Sequence, residues 1–377
     1  MLLLDLGLVV AGLALLIGGG EALVRGASTL AVRAGLSPLV IGLVVVSAAT
    51  SAPELAVTVG AVLEGEPGLA LGNVIGSNIA NILLILGLSA VLSPLVIRRQ
   101  VVRFDIPVML GVSILLVLVS LDGVLSLLDG VLLLGGLVIH ASLSIIIGRK
   151  EASDVAHVPA AMPLNSNSVP LWLAMILVAS GVGLLVFGAQ TLVTGAVNIA
   201  LDLGVSSLVV GLTVVAIGTS LPELATSLVA LRRGERDMAV GNIVGSNIFN
   251  IGLVLGLPAI LFAEGIALPS AAIALDLPLM LAAAVALLPI AFTGFVIARW
   301  EGALFVALYV AYLLYVVLAS TEHDAATGFT SIMLWFVLPL VGITLVAVTS
   351  YEVGIYRGRA IARRASSETG QSGSSGS

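Results

Sequence analysis

The sequence predicts an all-α polytopic membrane protein, with ten core transmembrane helices in two inverted five-helix repeats and one extra C-terminal helix. Three features carry that expectation. Apolar runs recur from end to end, the basic residues gather on one side, and one long stretch occurs twice.

Hydrophobic residues make up 59% of the 377-residue chain and charged residues 10%, with a mean hydropathy of +1.23. Soluble globular chains are about one quarter charged, so a soluble reading is excluded. Turn and charge punctuation divides the chain into eleven spans, near 2–33, 37–63, 67–92, 104–121, 124–147, 169–201, 206–231, 236–262, 270–293, 297–319 and 330–352. Such runs can cross ~30 Å of hydrocarbon as helices, and they are continuous rather than alternating, which excludes a β-barrel. The first run has no basic n-region and no small-residue cleavage site, and it reads as a retained helix rather than a signal peptide.

The expected organisation is a first repeat at 1–147, a polar linker at 148–168, a second repeat at 169–319, an extra helix at 330–352 and a tail at 353–377. The end of that tail, "SSETGQSGSSGS", has the composition of a flexible linker. No cysteine is present, which removes disulfides and thiol chemistry.

With strict alternation of spans, Arg25, Arg33, Arg98, Arg99, Arg103, Arg149, Lys150, Arg232, Arg233, Arg236, Arg299 and the Arg357–Arg364 group all fall on one side. The opposite loops hold Glu64, Glu66, Asp122, Asp202, Glu264, Glu322 and Asp324 and no basic residue. The positive-inside rule then puts the N-terminus outside, with the linker and the C-terminus in the cytoplasm.

A shift of 169 positions superposes "TSAPE" on "TSLPE", "GEPGLALGN" on "GERDMAVGN" and "GSNIANI" on "GSNIFNI". About 28 of the 50 aligned positions from Leu39 are identical, without a gap. Each half has five spans, an odd number, so the second copy enters the membrane from the opposite side. Inverted repeats of this kind belong to secondary transporters, with the binding site at the midplane between the halves.

Pro53 and Pro222 each interrupt a helix beside a glutamate, Glu54 or Glu223. Irregular backbone at membrane depth persists only where it lines a cavity or binds something. The carbonyls it frees, with Thr and Ser hydroxyls, Asn amides and the two carboxylates, are all oxygen donors. Such a set suits a hard cation, and no His or Cys cluster favours a softer one. Two carboxylates balance one divalent cation or two monovalent ones, the electrostatics of an exchanger.

These paired motifs resemble the α-repeats of the calcium/cation antiporter superfamily, sodium/calcium exchanger type, in its compact prokaryotic form. The resemblance covers residues 1 to about 320. It implies a cation pocket between the second, third, seventh and eighth helices, and alternating access by sliding of the first and sixth. Matched motif by motif, it implies ligand carboxylates at Glu54 and Glu223, and hydroxyl ligands at Thr50, Ser51, Thr219, Ser220, Ser77 and Ser246. It also implies carbonyl ligands at Ser47 and Ala216 and an amide ligand at Asn81. The partner of Asn81 in the second repeat is Asn250, where exchangers of this type usually carry aspartate. That change removes a titratable group and bears on the coupling ion. Asn81 and Asn250 each lie four residues beyond a serine, on the same helix face as Ser77 and Ser246.

Other polar residues have plainer readings. Glu21 is expected to pair with Arg25, one turn away. Gly72, Gly76, Gly241 and Gly245 are expected to let helices pack closely, and Asn73, Asn78, Asn242 and Asn247 to bridge helices. Asp105 and Asp276 read as helix caps. His140, His157 and His323 are scattered and receive no chemical role, and the eleventh span receives none either.

The expectation is a secondary antiporter of the cytoplasmic membrane, exchanging Na+ for Ca2+, with an H+/Ca2+ antiporter on the same fold as its rival. It requires no cofactor beyond the transported ions and no nucleic acid, its partners are the lipid bilayer and the cations, and it is expected to work as a monomer. An intramembrane hydrolase is disfavoured because no His lies near the Ser- and Thr-bearing motifs. A glutamate-lined channel needs no inverted second copy.

Overall fold

Ten helices and four short strands make up the described part of the chain. The computed structural model describes residues 2–155, 170–262, 264–270, 272–292 and 295–321, with four single positions between 342 and 354. The expected eleventh span, His157, His323 and most of the linker lie outside the described residues.

The helices are α1 (Leu2–Ala34), α2 (Pro38–Leu63), α3 (Pro67–Leu92), α4 (Val101–Val119) and α5 (Leu127–Val155), followed by α6 (Leu171–Asp202), α7 (207–232), α8 (Arg236–Leu261), α9 (272–292) and α10 (Arg299–Ser320). Eight are long and apolar enough to cross a membrane, with α7 and α9 as the remaining two. In hydrocarbon every backbone N–H must bond within its own segment, so these runs have helix as their stable form.

The punctuation is local and repeats between the halves. Gly35 and Gly204 end α1 and the turn after α6 with φ of +61° and +84°, a backbone region where glycine carries no Cβ penalty. Two residues later Ser37 and Ser206 accept from Val40 N at 3.4 Å and Val209 N at 3.3 Å, capping α2 and α7.

The helices differ sharply in burial. In α3 and α8, 78% and 83% of the apolar window is buried, against 22% in α1 and in α6, so α3 and α8 form the centre. The long helices α1 and α6 pack antiparallel on each other through glycines. A Cβ on Gly12 would come within 2.6 Å of Leu192 N, and one on Gly19 within 2.8 Å of Leu185 N. Their backbones touch, as small residues permit in membrane bundles.

Strand pairing crosses between the halves. β1 (Leu95–Val96) pairs antiparallel with β4 (Val296–Ile297), and β2 (Val124–Leu125) with β3 (Ile266–Ala267). Helix crossings repeat the exchange. Gly87 of α3 faces Gly302 of α10, and Gly256 of α8 faces Gly130 of α5, with a Cβ on Gly87 or Gly130 meeting the opposing carbonyl at 2.9 or 2.7 Å.

Several sequence expectations need correction. Helix α5 continues to Val155, through residues assigned to the linker, because "GRKEASDV" holds good helix formers and no proline. Glu21 bonds not Arg25 but Arg233, in the turn after α7, because tertiary packing brings that turn beside α1. Gly241 and Gly245 meet backbone of α2, but among the described residues nothing lies within 4 Å of a Cβ on Gly72 or Gly76.

Asp105 is no cap, since its carboxylate makes no bond to the helix start. It is buried, and its Oδ1 lies 2.9 Å from His140 Nε2 and accepts from Ser144 Oγ at 3.1 Å, while the imidazole stacks on Phe104 at 5.7 Å between centroids. His140 lies well inside α5 and not at its end, and it joins α5 to α4.

Removing one partner of such a buried pair leaves the other polar group without compensation, a loss of about 3–5 kcal/mol for a charged pair. His140→Leu is therefore expected to lower the thermal midpoint of the detergent-purified protein markedly. Adding Asp105→Leu should restore much of the loss, as read by size-exclusion fluorescence after heating.

Candidate cation-binding site

Helices α2 and α7 are each broken near the middle. In α2 the first part ends at Thr50, Ser51 turns with φ −81° and ψ 0°, and the helix resumes at Ala52 with Pro53 in its first turn. In α7 the break falls at Thr219 and Ser220, and Leu221 resumes with Pro222. Proline lacks an N–H and is tolerated in a first turn, where that donor would be free in any case. The sequence thus ends one half-helix and starts another at the same point of each repeat.

Glu54 and Glu223 occupy the first turns of the resumed half-helices, where the positive end of the dipole favours a carboxylate. Just before each break lies a wider π-type turn, Gly42–Val46 in α2 and Gly211–Val215 in α7. Two more open at the asparagines, Ala80–Leu86 in α3 and Asn250–Leu255 in α8. Such turns recur at functional sites. Here they displace the backbone beside the breaks.

The expected ligands converge at this level. Thr50, Ser51, Glu54, Ser77, Asn81, Ser220, Glu223, Ser246 and Asn250 are all buried. Thr50 Oγ1 donates to Asn242 Oδ1 at 3.3 Å and lies 3.3 Å from Ser246 Oγ. Ser77 Oγ donates to Glu54 Oε1 at 3.5 Å and accepts from Ser220 Oγ at 3.1 Å and Asn250 Nδ2 at 3.0 Å. The Ser47 carbonyl accepts from Ser51 N at 2.9 Å and lies 3.4 Å from Thr50 Oγ1, whose single proton it shares as an alternative acceptor with Asn242 Oδ1. Ala216 opens the last short turn before the second break, and Thr219 lies at the break.

Several side chains in this layer have no hydrogen-bond partner among the described residues. They include Glu54 Oε2, both Glu223 oxygens, Ser51 Oγ, Asn250 Oδ1 and both polar atoms of Asn81. Buried polar groups are nearly always bonded, so each exception requires an explanation. A cluster of unpartnered oxygens around two carboxylates has the donor chemistry of a hard-cation shell. Among the described residues no three His, Cys, Asp or Glu gather as metal ligands, at this level or elsewhere.

Three of the four asparagines expected to bridge helices do so, while Asn247 Nδ2 instead donates to the Ile243 carbonyl of its own helix at 2.7 Å. Asn73 Nδ2 donates to the Glu54 carbonyl at 3.3 Å and to Thr58 Oγ1 at 3.2 Å, tying α3 to α2. Asn242 Nδ2 donates to Ser227 Oγ at 3.3 Å, tying α8 to α7. Thr58 and Ser227 received no role from the sequence. They stand at equivalent positions of the two copies, 169 residues apart, and that coincidence was the available signal.

Among the described residues nothing at this level is arranged for covalent chemistry. The buried imidazole of His140 bonds Asp105 and Ser144 on α4 and α5, not a hydroxyl of the broken helices. What the residues can do is capture a cation reversibly inside a multi-pass membrane bundle, which defines a cation transporter. The chain belongs to the sodium/calcium exchanger protein family, whose sequence profile matches residues 4–146 and 173–318. It is a cation antiporter, not an enzyme.

The chain is 41% identical over 272 residues to the inner membrane protein YrbG of Escherichia coli K12, covering 69% of this chain and 81% of YrbG. It is 31% identical to the sodium/calcium exchanger MaX1 of Methanosarcina acetivorans, covering 80% of this chain and 95% of MaX1. The solved structure of the sodium-calcium exchanger NCX_Mj soaked with Na+ and Sr2+ superposes with a TM-score of 0.69 at 34% identity, covering 82% of this chain and 97% of that one.

Asn242→Leu removes the acceptor of Thr50 and the donor of Ser227 together. It is expected to destabilise the fold by about 1–3 kcal/mol. Measured by thermal unfolding in detergent, Asn242→Asp, which keeps an acceptor for Thr50, should fall between it and the unmodified protein.

Proposed function

We propose that this protein exchanges Na+ for Ca2+ across the cytoplasmic membrane by alternating access. The observation that carries the reading is the pair Glu54 and Glu223, buried at two helix breaks with three of their four carboxylate oxygens unpartnered. One Ca2+ neutralises both carboxylates, and so do two Na+. Neither form is stable in an apolar interior without its counter-charge. The pocket therefore returns across the membrane loaded with one ion or the other, which is the basis of obligatory exchange. The exchanger MaX1 and the Na+- and Sr2+-soaked NCX_Mj give the same reading by similarity.

The strand pairing supports inverted repeats, 1–147 and 169–319. β1 and β2 lie at opposite ends of α4, and β3, the repeat counterpart of β1, pairs with β2. Equivalent loops thus stand at opposite ends of the bundle. Arg98 bonds Asp237 at 2.6 Å and Arg99 lies 5.9 Å above the Phe295 ring, so the arginine-bearing turn before α4 meets the start of α8 and the turn before α10 at one end, which we take as cytoplasmic.

The two halves also differ in a way that alternating access requires. Gly42 at the start of α2 packs on α8, a Cβ there coming within 3.0 Å of Met238 Cα. Its counterpart Gly211 is exposed, with nothing within 4 Å among the described residues, as with Gly72 and Gly76 across from it. By the orientation above, this conformation opens toward the outside, and the α1–α6 pair is free to move over the central helices.

A proton-coupled reading has one observation in its favour. Asn250 is a neutral amide, so the pocket holds two titratable groups and two protons discharge it as fully as one Ca2+ does.

Proteoliposomes loaded with Na+ and diluted into Na+-free buffer are expected to take up ⁴⁵Ca2+, and Glu54→Gln or Glu223→Gln should abolish it. Uptake that follows only a pH gradient establishes the proton-coupled reading instead. Because the chain has no native cysteine, single cysteines report access directly. A membrane-impermeant methanethiosulfonate is expected to label Gly76→Cys from outside and to leave Ala239→Cys, buried on the packed side, unlabelled.

A further inference from the structure

The hydrogen bonds around Asn250 have a fixed direction. The backbone carbonyl of Asn247 can only accept, and it takes Asn78 Nδ2 at 3.4 Å. Asn78 therefore turns Oδ1 toward Asn250, whose Nδ2 donates to it at 3.1 Å. The same nitrogen donates to Ser77 Oγ at 3.0 Å, and Ser220 Oγ donates to Ser77 as well, at 3.1 Å. A hydroxyl has two lone pairs and one proton. With both lone pairs engaged, Ser77 has only its proton left, and Glu54 Oε1 receives it at 3.5 Å.

In the second half the equivalent proton is not committed: Thr50 Oγ1, the hydroxyl that faces Glu223, also has Asn242 Oδ1 and the Ser47 carbonyl as acceptors, at 3.3 and 3.4 Å. Ser246 Oγ meets Thr50 Oγ1 at 3.3 Å, while both amide atoms of Asn81 are unpartnered. Both oxygens of Glu223 are unpartnered too, against Oε2 alone for Glu54. An ionised carboxylate at position 250 would set acceptor against acceptor at Asn78 Oδ1 as that amide is oriented here.

We infer that Asn250 is a positioning residue that makes the two carboxylates inequivalent. Acting through Ser77, it holds Glu54 by Oε1, withdraws Ser77 from the ligand shell, and leaves the cation held by both oxygens of Glu223 and by Oε2 alone of Glu54. This rests on the exchanger reading above and assigns the arrangement of ligands within it. A carboxylate that binds through two oxygens suits Ca2+, whose coordination is flexible, and suits poorly the strict octahedron of Mg2+.

The test is equilibrium ⁴⁵Ca2+ binding to the detergent-purified full chain, with thermal stability measured on every variant. Glu223→Gln is expected to lower affinity about tenfold more than Glu54→Gln. That ratio should shrink to within about threefold when Ser77→Ala or Asn250→Ala is added to both, and Ser77→Thr, which keeps the hydroxyl, should leave it unchanged. Equal losses in the two glutamine variants overturn the inference, and so does a Ser77→Ala effect that leaves the ratio intact, since a direct ligand weakens both alike. An unmodified chain that binds no ⁴⁵Ca2+ overturns the calcium reading itself.

Discussion

The structure depends on one constraint, that two carboxylates are held inside an apolar bundle with too few partners of their own. Glu54 and Glu223 are fully buried, and the ion pairs seen among the described residues, Arg98 with Asp237, Arg233 with Glu21 and His140 with Asp105, do not include them. An ionised side chain at that depth costs several kcal/mol, of order 2.5–3.5 at a helix centre on insertion scales. Around each of them the backbone departs from regular helix. The breaks at Ser51 and Ser220 put each carboxylate in a first turn, and the π-type turns bring asparagine and serine to the same level. The arrangement stabilises the pair only partly, and a carrier requires that, because a site satisfied by the protein alone would have no use for a cation.

The asparagines of the two "GN" and "GSN" motifs do a different job from the carboxylates. Asn73 and Asn242 join α3 to α2 and α8 to α7, so each broken helix is pinned to an unbroken one beside its break. The contacts between halves are as systematic. α3 crosses α10 and α8 crosses α5 at facing glycines, and the short strands exchange partners in the same sense. Neither repeat closes a core of its own. Outside this block, α1 and α6 pack mainly on each other, and Glu21 of α1 reaches Arg233 across the α7–α8 turn. A long helix pair held on the block at few polar points is suited to move relative to it.

The buried Asp105, His140 and Ser144 show that polar chemistry in this membrane bundle is not confined to the level of Glu54 and Glu223. There the carboxylate has its partners on a neighbouring helix, and the outcome is a joint between α4 and α5.

Much of this was legible in one dimension. Spans, breaks and repeat follow from apolar run length, from proline beside glutamate and from the 169-residue offset, because hydropathy and proline act locally on the backbone. That Glu54 and Glu223 both stand buried just after a helix break was legible for a related reason, since they belong to two copies of one motif. Partners were not legible. Nothing local told Glu21 to prefer Arg233 over Arg25, placed His140 against Asp105, or distinguished Gly72 from Gly241 in an otherwise matching motif. Nor could the order of residues show that Asn250 donates to Ser77 while the side chain of Asn81 has no partner among the described residues. Sequence alone determined which chemical groups enter the membrane and at what depth. Tertiary structure decided which of them touch, because a hydrogen bond is settled within a few tenths of an ångström by helices that are far apart in the chain.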